Sequence, residues 1–205
     1  MRTKAVAPTP MAFMGSPEPA DVSRLHAEIN QIVNQRFVLT TLAITVFAAA
    51  IVWMIPKDIQ PAPGPVTFPF MMSTILSSLL FAIYLWSHLL KHVMRIWTEY
   101  LIAAGKSKWE VDWSAYRATR YFAYTKASTI MFLLLLAIGN AFPFLLAWGD
   151  NFTVASGAAV MSSVSGCVAA LLIYLMGFHN LFDTDKKIKK KWKEVKSAPE
   201  RPAEQ

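Results

Sequence analysis

Four long stretches of the chain are dominated by apolar residues and contain no Asp, Glu, Lys or Arg. They are residues 37–55, 68–90, 127–148 and 152–178. An α-helix rising 1.5 Å per residue needs about 20 residues to cross a hydrocarbon core about 30 Å thick. A helix also satisfies its own backbone hydrogen bonds, as lipid requires. The pattern predicts an all-α, polytopic membrane protein with four transmembrane helices and short cytoplasmic juxtamembrane helices.

The overall composition supports the same fold class. Apolar residues make up 55% of the 205 residues and charged residues 16%, whereas a soluble domain carries about 25% charged residues. The chain has too few charged residues to form a soluble shell around four apolar helices. The composition excludes a disordered chain and a cytosolic enzyme with a large core. The single cysteine, Cys167, excludes an intramolecular disulfide and a dithiol redox pair.

The basic residues predict the orientation in the membrane. They concentrate in residues 1–36, 91–126 and 179–205, whereas residues 56–67 contain only Lys57 and residues 149–151 contain none. Segments rich in Lys and Arg stay on the cytoplasmic side. We therefore expect an integral protein of a bacterial inner membrane with both termini in the cytoplasm.

The pattern divides the chain into four regions. Residues 1–20 read as a flexible N-terminal arm, and residues 21–36 as a cytoplasmic amphipathic helix. Residues 37–178 form the four-helix transmembrane domain, which contains a cytoplasmic or interfacial helical insert at 91–126. Residues 179–205 form a basic cytoplasmic tail.

The amphipathic helix at 21–36 has three possible roles. Its apolar residues, Val22, Leu25, Ile29 and Ile32, follow a spacing of three and four. Such a stripe suits a helix that binds a partner, a helix that lies on the inner leaflet, or a downward extension of the first transmembrane helix. The sequence leaves these three possibilities open.

The insert at 91–126 combines two kinds of helix. Residues after Leu90 continue the second helix into the cytoplasm, and Gly105 marks a break. Beyond Gly105, Trp and Tyr residues alternate with Lys and Arg. Both residue types are typical of the lipid headgroup region, so we expect an interfacial helix there. A nucleic-acid surface would use the same residue types and is the less favoured interpretation.

Small residues recur every four positions in the fourth stretch. Ala158, Ser162, Gly166 and Ala170 form one such row. Small residues let helices approach closely, so we expect a helix-packing surface. The spacing alone does not decide whether this surface packs within one subunit or between subunits of a homo-oligomer or larger membrane complex.

Hydroxyl side chains form two rows on the second stretch. Ser73 and Ser77 stack on one face, and Thr74 and Ser78 stack on another. Such rows line a narrow wet path in some membrane proteins, which makes these four residues candidate pore-lining residues. The alternative is bonding to the helix backbone and helix packing, which we favour. In the third stretch, we expect Asn140 to hydrogen-bond across helices.

The tail carries a dense group of lysines directly after the fourth stretch. These are Lys186, Lys187, Lys189, Lys190, Lys191 and Lys193. Basic clusters beside a membrane are attracted to anionic lipid headgroups, so membrane lipid is the expected partner. An acidic protein is the alternative partner, and a nucleic acid is an unlikely one.

Three histidines are the only candidates for holding a cofactor. His88 and His92 lie four residues apart on one helix face, and His179 follows the fourth stretch at a similar depth. Metal sites usually add Cys or carboxylate ligands, and none lies at that depth in the sequence. We therefore expect neither a cofactor nor a metal.

These features favour a non-enzymatic inner-membrane protein that self-associates or joins a complex and binds a cytoplasmic protein partner. One version is a gated pore or membrane-perturbing effector controlled by the cytoplasmic segments. The four stretches hold no charged residue of the kind that proton- or ion-coupled transporters use at mid-membrane. The alternative function is a redox or cofactor-bearing membrane protein that uses the three histidines.

Overall fold

A computed structural model describes residues 19–55, 67–103, 124–149 and 156–178, together with Ile188, Lys190 and Trp192. Within these ranges the secondary structure is helical, and no strand occurs. The all-α prediction is confirmed for this part of the chain. The predicted arm, the aromatic and basic part of the insert, and most of the tail lie outside the described residues.

The described residues contain four long helices: α1 (Pro19–Met54), α2 (Phe68–Ala103), α3 (Tyr124–Gly149) and α4 (Ser156–Phe178). Each contains a segment that is long and apolar enough to cross a membrane. The four helices correspond to the four charge-free stretches. Membrane insertion itself follows from their length and composition.

The first two helices are much longer than a membrane crossing requires. α1 and α2 each contain 36 residues, so each is about 54 Å long, against a hydrocarbon core of about 30 Å. α1 continues without a break through residues 21–36, which corresponds to the third of the three possible roles for that segment. α2 continues past Leu90 to Ala103, as its sequence predicts.

Consecutive helices run antiparallel. Contacts along each pair run in opposite order: Asp21 near Tyr100 and Arg36 with Ser87, Ser73 with Asn140 and Tyr84 with Thr129, and Asn140 with Ser162 and Thr129 with Gly177. α2 packs against each of the other three helices, whereas α1 and α4 do not touch within the described ranges. The bundle is therefore built around α2, with α1 at one edge.

The core contains apolar side chains from all four helices. Leu80, Phe132 and Ile173 are completely buried, and so is Ala43 of α1. The Tyr84 and Phe132 rings meet edge to face, with 5.2 Å between their centroids. Edge-to-face contact is a favoured geometry for aromatic pairs.

The outer faces of the helices are also apolar. On α1, Phe37, Val38, Val52 and Trp53 are each at least 60% exposed. A soluble protein would not leave a surface of this kind uncovered. In a bilayer this surface contacts lipid chains, as the fold class requires.

Candidate functional site: two polar layers inside the bundle

A group of polar side chains joins three helices near the middle of the bundle. We call Ser73, Ser77, Asn140 and Ser162 the midspan layer. Ser73 Oγ donates a hydrogen bond to Asn140 Oδ1 at 3.2 Å, and Asn140 Nδ2 donates to Ser77 Oγ at 3.0 Å. Ser162 Oγ donates to Asn140 Oδ1 at 3.5 Å. The prediction that Asn140 bonds across helices is confirmed.

Asn140 also bonds within its own helix. Its Nδ2 donates to the Leu136 carbonyl oxygen at 2.9 Å. Both protons of the amide and its oxygen are thus engaged. Placing a carboxamide in lipid without hydrogen-bond partners would cost several kcal/mol of free energy. This is on the order of the free energy of moving an amide from water to an apolar phase. The layer therefore satisfies Asn140 and ties α2, α3 and α4 together.

Gly166 makes room for the Asn140 side chain. It lies on α4 opposite Asn140, and a Cβ at this position would overlap the carboxamide. Any larger residue here would push Asn140 away from its serine partners. The absence of a side chain at Gly166 is thus a requirement of the midspan layer, in keeping with the role of small residues at helix contacts in membranes.

The structure separates the four candidate pore-lining residues into two classes. Ser73 and Ser77 are buried and bonded to Asn140. Thr74 donates to the Phe70 carbonyl, and Ser78 donates to the Thr74 carbonyl. The first pair takes part in packing between helices, and the second bonds back to its own helix. Both arrangements belong to the packing alternative that the sequence left open.

The two central residues of the small-residue row of α4 face the interior of the same subunit. Ser162 and Gly166 are buried against α3, whereas Ala158 and Ala170 are half-buried. By contrast, the most exposed residues of α4 include Val160, Met161, Val164, Val168 and Leu171. The centre of the row, Ser162 and Gly166, packs against α3 of the same chain, and the most exposed side of α4 is made of larger residues.

A second set of polar contacts lies closer to the end where α1 begins. Tyr84 Oη and Thr129 Oγ1 are 2.9 Å apart and form a hydrogen bond. Gly177 of α4 packs on the Thr129 side chain so closely that a Cβ there would overlap it. We call Arg36, Tyr84, Ser87 and Thr129 the boundary layer. It joins α1, α2 and α3 where the apolar stretches end, and Gly177 brings α4 against it.

Arg36 is a buried cation in this layer. The residue is only 7% exposed, and its Nε donates to Ser87 Oγ at 3.4 Å. Arg36 is the last charged residue before the apolar stretch of α1. Burying a guanidinium is costly unless its donors are satisfied. The contact with Ser87 therefore fixes the register of α1 on α2 at the edge of the membrane.

Of the three candidate histidines, the structure describes His88 and His92. His88 lies beside Tyr84, with ring centroids 6.1 Å apart, and His92 follows one turn later on α2. His179 falls outside the described residues. Within the helices described, no group of three or more His, Cys, Asp or Glu side chains is placed to hold a metal ion.

Part of the lysine-rich tail contacts the far end of α2. Ile188 is buried, Lys190 is exposed, and the Trp192 ring lies 5.0 Å from the Tyr100 ring between centroids. Burial, followed by the Asp21 carboxylate, raises the pKa of Tyr100. The start of α1, the end of α2 and the tail therefore meet on one side of the bundle. The other five candidate lysines lie outside the described residues.

The boundary layer was not recognised in the sequence, although a signal for it exists. Ser73, Ser77, Tyr84 and Ser87 fall on one face of α2, at the spacing of three and four residues that marks a buried helix stripe. Polar residues on the most buried face of an apolar helix point to partners on neighbouring helices. The identity of those partners requires the tertiary structure.

Within the described part of the chain, no buried side-chain nitrogen or oxygen lacks a hydrogen-bond partner. The polar side chains of the two layers are thus hydrogen-bonded within the protein, in closed networks that hold the helices in register. In comparisons with protein-family models, curated proteins and solved structures, the chain matches none.

Proposed function

We propose that the chain is a non-enzymatic integral protein of a bacterial inner membrane and a subunit of a larger assembly. The observation that carries this proposal is the extension of α1 and α2 beyond their apolar stretches. We call residues 19–35 of α1 and 91–103 of α2 the helix pair. A protein that only had to stay in the membrane would not need two helices of this length.

The helix pair has its own buried seam. Ile29 and Ile32 of α1 and Leu101 of α2 are buried. Because both helices continue into the transmembrane bundle without a break, a molecule that binds the pair contacts a rigid part of the bundle. This continuity supports a docking role for the pair. The basic residues of the chain support its placement in the cytoplasm.

The closed polar layers support a non-enzymatic role. In this account Ser73 and Ser77 are bonded to Asn140, so the described helices of a single bundle leave no free row of hydroxyls through the centre. If assembled copies conduct ions, the conducting path lies between subunits. α1 is suited to such a contact because it lies at the edge of the bundle and leaves a long apolar face uncovered.

The test is the mass of the particle extracted directly from the membrane into polymer nanodiscs. A single chain is 22.9 kDa. We expect a protein mass of two or more chains, either identical copies or this chain with another protein. Val33→Asp, which changes the 49% exposed apolar residue of the helix pair, is expected to lower that mass. The matched control is Asn34→Asp at the adjacent exposed polar position.

A particle that contains one chain only, both in nanodiscs and in mild detergent, would overturn the proposal. Equal masses for the Val33 and Asn34 variants would remove the helix pair from the contact. Circular dichroism of both variants checks that the helices persist. The mass of the partner also separates self-association from assembly with a different protein.

A further inference from the structure

Of the four described helices, α3 has a proline in its interior. Pro143 is almost completely buried within α3, whereas Pro19 and Pro69 lie in the first turns of α1 and α2. The N–H groups of a first turn have no partner within the helix, so proline is tolerated there. At position 143 the missing N–H removes the helical bond to the Gly139 carbonyl. The α3 backbone is therefore weakened between Gly139 and Pro143.

The two parts of α3 on either side of this turn are held in different ways. Before it, the Thr129 and Asn140 side chains hydrogen-bond to α2. Beyond it, residues 141–147 have the sequence AFPFLLA, in which no side chain can donate or accept a hydrogen bond. We call residues 143–149 the α3 end. It is joined to the rest of the helix by a backbone that lacks one helical bond.

One aromatic contact fastens the α3 end to the start of α2. The Phe70 and Phe144 rings meet edge to face, with 5.0 Å between their centroids. Aromatic pairs of this geometry stabilise a contact beyond the area that they bury. Phe142 and Leu146 add half-buried apolar contacts with the core. Phe70 is completely buried, whereas Phe144 is 42% exposed, so Phe144 can leave this contact without crossing the core.

The aromatic pair lies next to the midspan layer. Ser73 follows Phe70 by three residues and Asn140 precedes Phe144 by four, so the ring and the polar group share a face on each helix. Ser73 bonds to Asn140 just as the two rings contact each other. At 1.5 Å per residue, the rings lie about 5 Å beyond this bond, away from the helix pair. They therefore cover the polar layer on that side.

We propose that the α3 end is a hinged lid over the midspan layer. It bends at the weakened turn that ends at Pro143, and the contact between Phe70 and Phe144 holds it closed. Opening separates the α3 end from the start of α2 and lets water reach Ser73. The lid rests on contacts within one chain, so it does not depend on whether the protein assembles with other chains.

The test measures how fast a cysteine at position 73 reacts with a water-soluble methanethiosulfonate. Ser73→Cys is made in a Cys167→Ser background, and lipid nanodiscs leave both membrane faces open to the reagent. The reaction requires a thiolate, and an apolar environment disfavours the charged form. The rate therefore follows the fraction of time for which the lid admits water. The control is Ile75→Cys, at a 52% exposed position of α2 that faces lipid at nearly the same depth.

Phe144→Ala removes the ring contact and should raise the rate about 2- to 10-fold, as expected for the loss of an aromatic pair. Leu145→Ala, at the adjacent 67% exposed position, is the matched control and should leave the rate unchanged. Ile75→Cys should stay unreactive in each variant. A rate at position 73 that Phe144→Ala leaves unchanged would overturn the proposal. An equal rise at Ile75→Cys would mean that the whole bundle has loosened, which also contradicts a lid.

Pro143→Ala tests the hinge itself, because it restores the N–H that the Gly139 carbonyl lacks. It should lower the rate about 2- to 10-fold, as expected for one more hydrogen bond. It should also remove most of the increase that Phe144→Ala causes. An increase of the same size with and without Pro143 would show a fixed gap left by the missing ring, and the hinge would be wrong.

A second measurement covers the case in which circular dichroism shows that Pro143→Ala does not fold. Spin labels on Met71→Cys and Leu145→Cys, again without Cys167, report the distance between the start of α2 and the α3 end. We expect a second, longer distance whose share grows with Phe144→Ala. A single distance that this variant leaves unchanged would contradict the hinge. The mass of the extracted particle, which tests the proposed function, does not influence these readings.

Discussion

Asn140 of α3 and Gly166 of α4 face each other so closely that a Cβ on the glycine would overlap the carboxamide. The same carboxamide bonds to Ser73 and Ser77 of α2. One missing side chain on α4 therefore allows a polar contact between α2 and α3. The packing of these three helices depends on that arrangement.

The first prediction concerns this close contact. Gly166→Ala should lower the free energy of unfolding by about 1–3 kcal/mol, the usual cost of overpacking a core. The matched control is Gly157→Ala, because no atom lies within 4 Å of a Cβ there. Unfolding in mixed micelles of dodecyl maltoside and sodium dodecyl sulfate measures both variants. Adding Asn140→Ala to Gly166→Ala should cost less than the two single changes combined; strict additivity would contradict the contact.

The second prediction compares two adjacent hydroxyls. Ser77→Ala removes the acceptor of the Asn140 Nδ2 bond, whereas Ser78→Ala removes a bond to its own backbone. Hydrogen bonds between helices in membranes average about 0.6 kcal/mol and reach about 1.7 kcal/mol. We expect a loss in that range for Ser77→Ala and almost none for Ser78→Ala. The same unfolding titration measures both, and an equal effect at the two positions would contradict the midspan layer.

The third prediction compares two arginines of α1. Arg36 is buried and bonded to Ser87, whereas the Arg24 side chain is 79% exposed and pairs with Glu28. Arg36→Gln should cost about 1–3 kcal/mol, because a charge-assisted bond is lost and Ser87 is left without this donor. Arg24→Gln should cost at most about 0.5 kcal/mol, as for an exposed helix pair. A larger loss for the Arg24 variant would show that Arg36 does not fix the register of α1.

The fourth prediction concerns ion flow. Vesicles that each hold one copy should stay tight to potassium, because the hydroxyls at the centre of the bundle are engaged with Asn140. Any leak should rise more steeply than in proportion to the protein-to-lipid ratio, since a path between subunits needs several copies. The fluorescence of a potassium-sensitive dye trapped inside the vesicles measures the potassium flux. A leak from single copies, abolished by Ser73→Ala with Ser77→Ala, would instead place a pore inside the bundle.

The charge-free stretches were sufficient to predict the helices, because the length of a membrane crossing and the cost of burying charge leave few alternatives. Asn140 was predicted to bond across helices because an amide in lipid requires partners. Its actual partners, Ser73, Ser77 and Ser162, depend on how three helices are rotated about their axes. Helix periodicity shows which residues share a face, but it does not show which faces meet.

The tail illustrates the same limit at a longer range. Six lysines predict attraction to lipid from charge alone, whereas the contact between Trp192 and Tyr100 joins residues 92 positions apart. No local pattern encodes such a pairing. The apolar stripe of residues 21–36 also left their role undecided. A helix that binds a partner, a helix on the membrane surface and an extension of α1 all have the same spacing of apolar residues. The unbroken course of α1 is a property of the tertiary structure.

The central claim is that four helices cross lipid and that the helix pair lies on the cytoplasmic side. Labelling with a membrane-impermeant maleimide tests it most directly, using native Cys167 on the exposed side of α4 and an added Asn34→Cys on the helix pair. The account predicts that position 34 reacts in inside-out membrane vesicles and not in intact spheroplasts, while Cys167 reacts only after denaturation in sodium dodecyl sulfate. Reaction of Cys167 in untreated membranes, or of position 34 from outside intact spheroplasts, would contradict it.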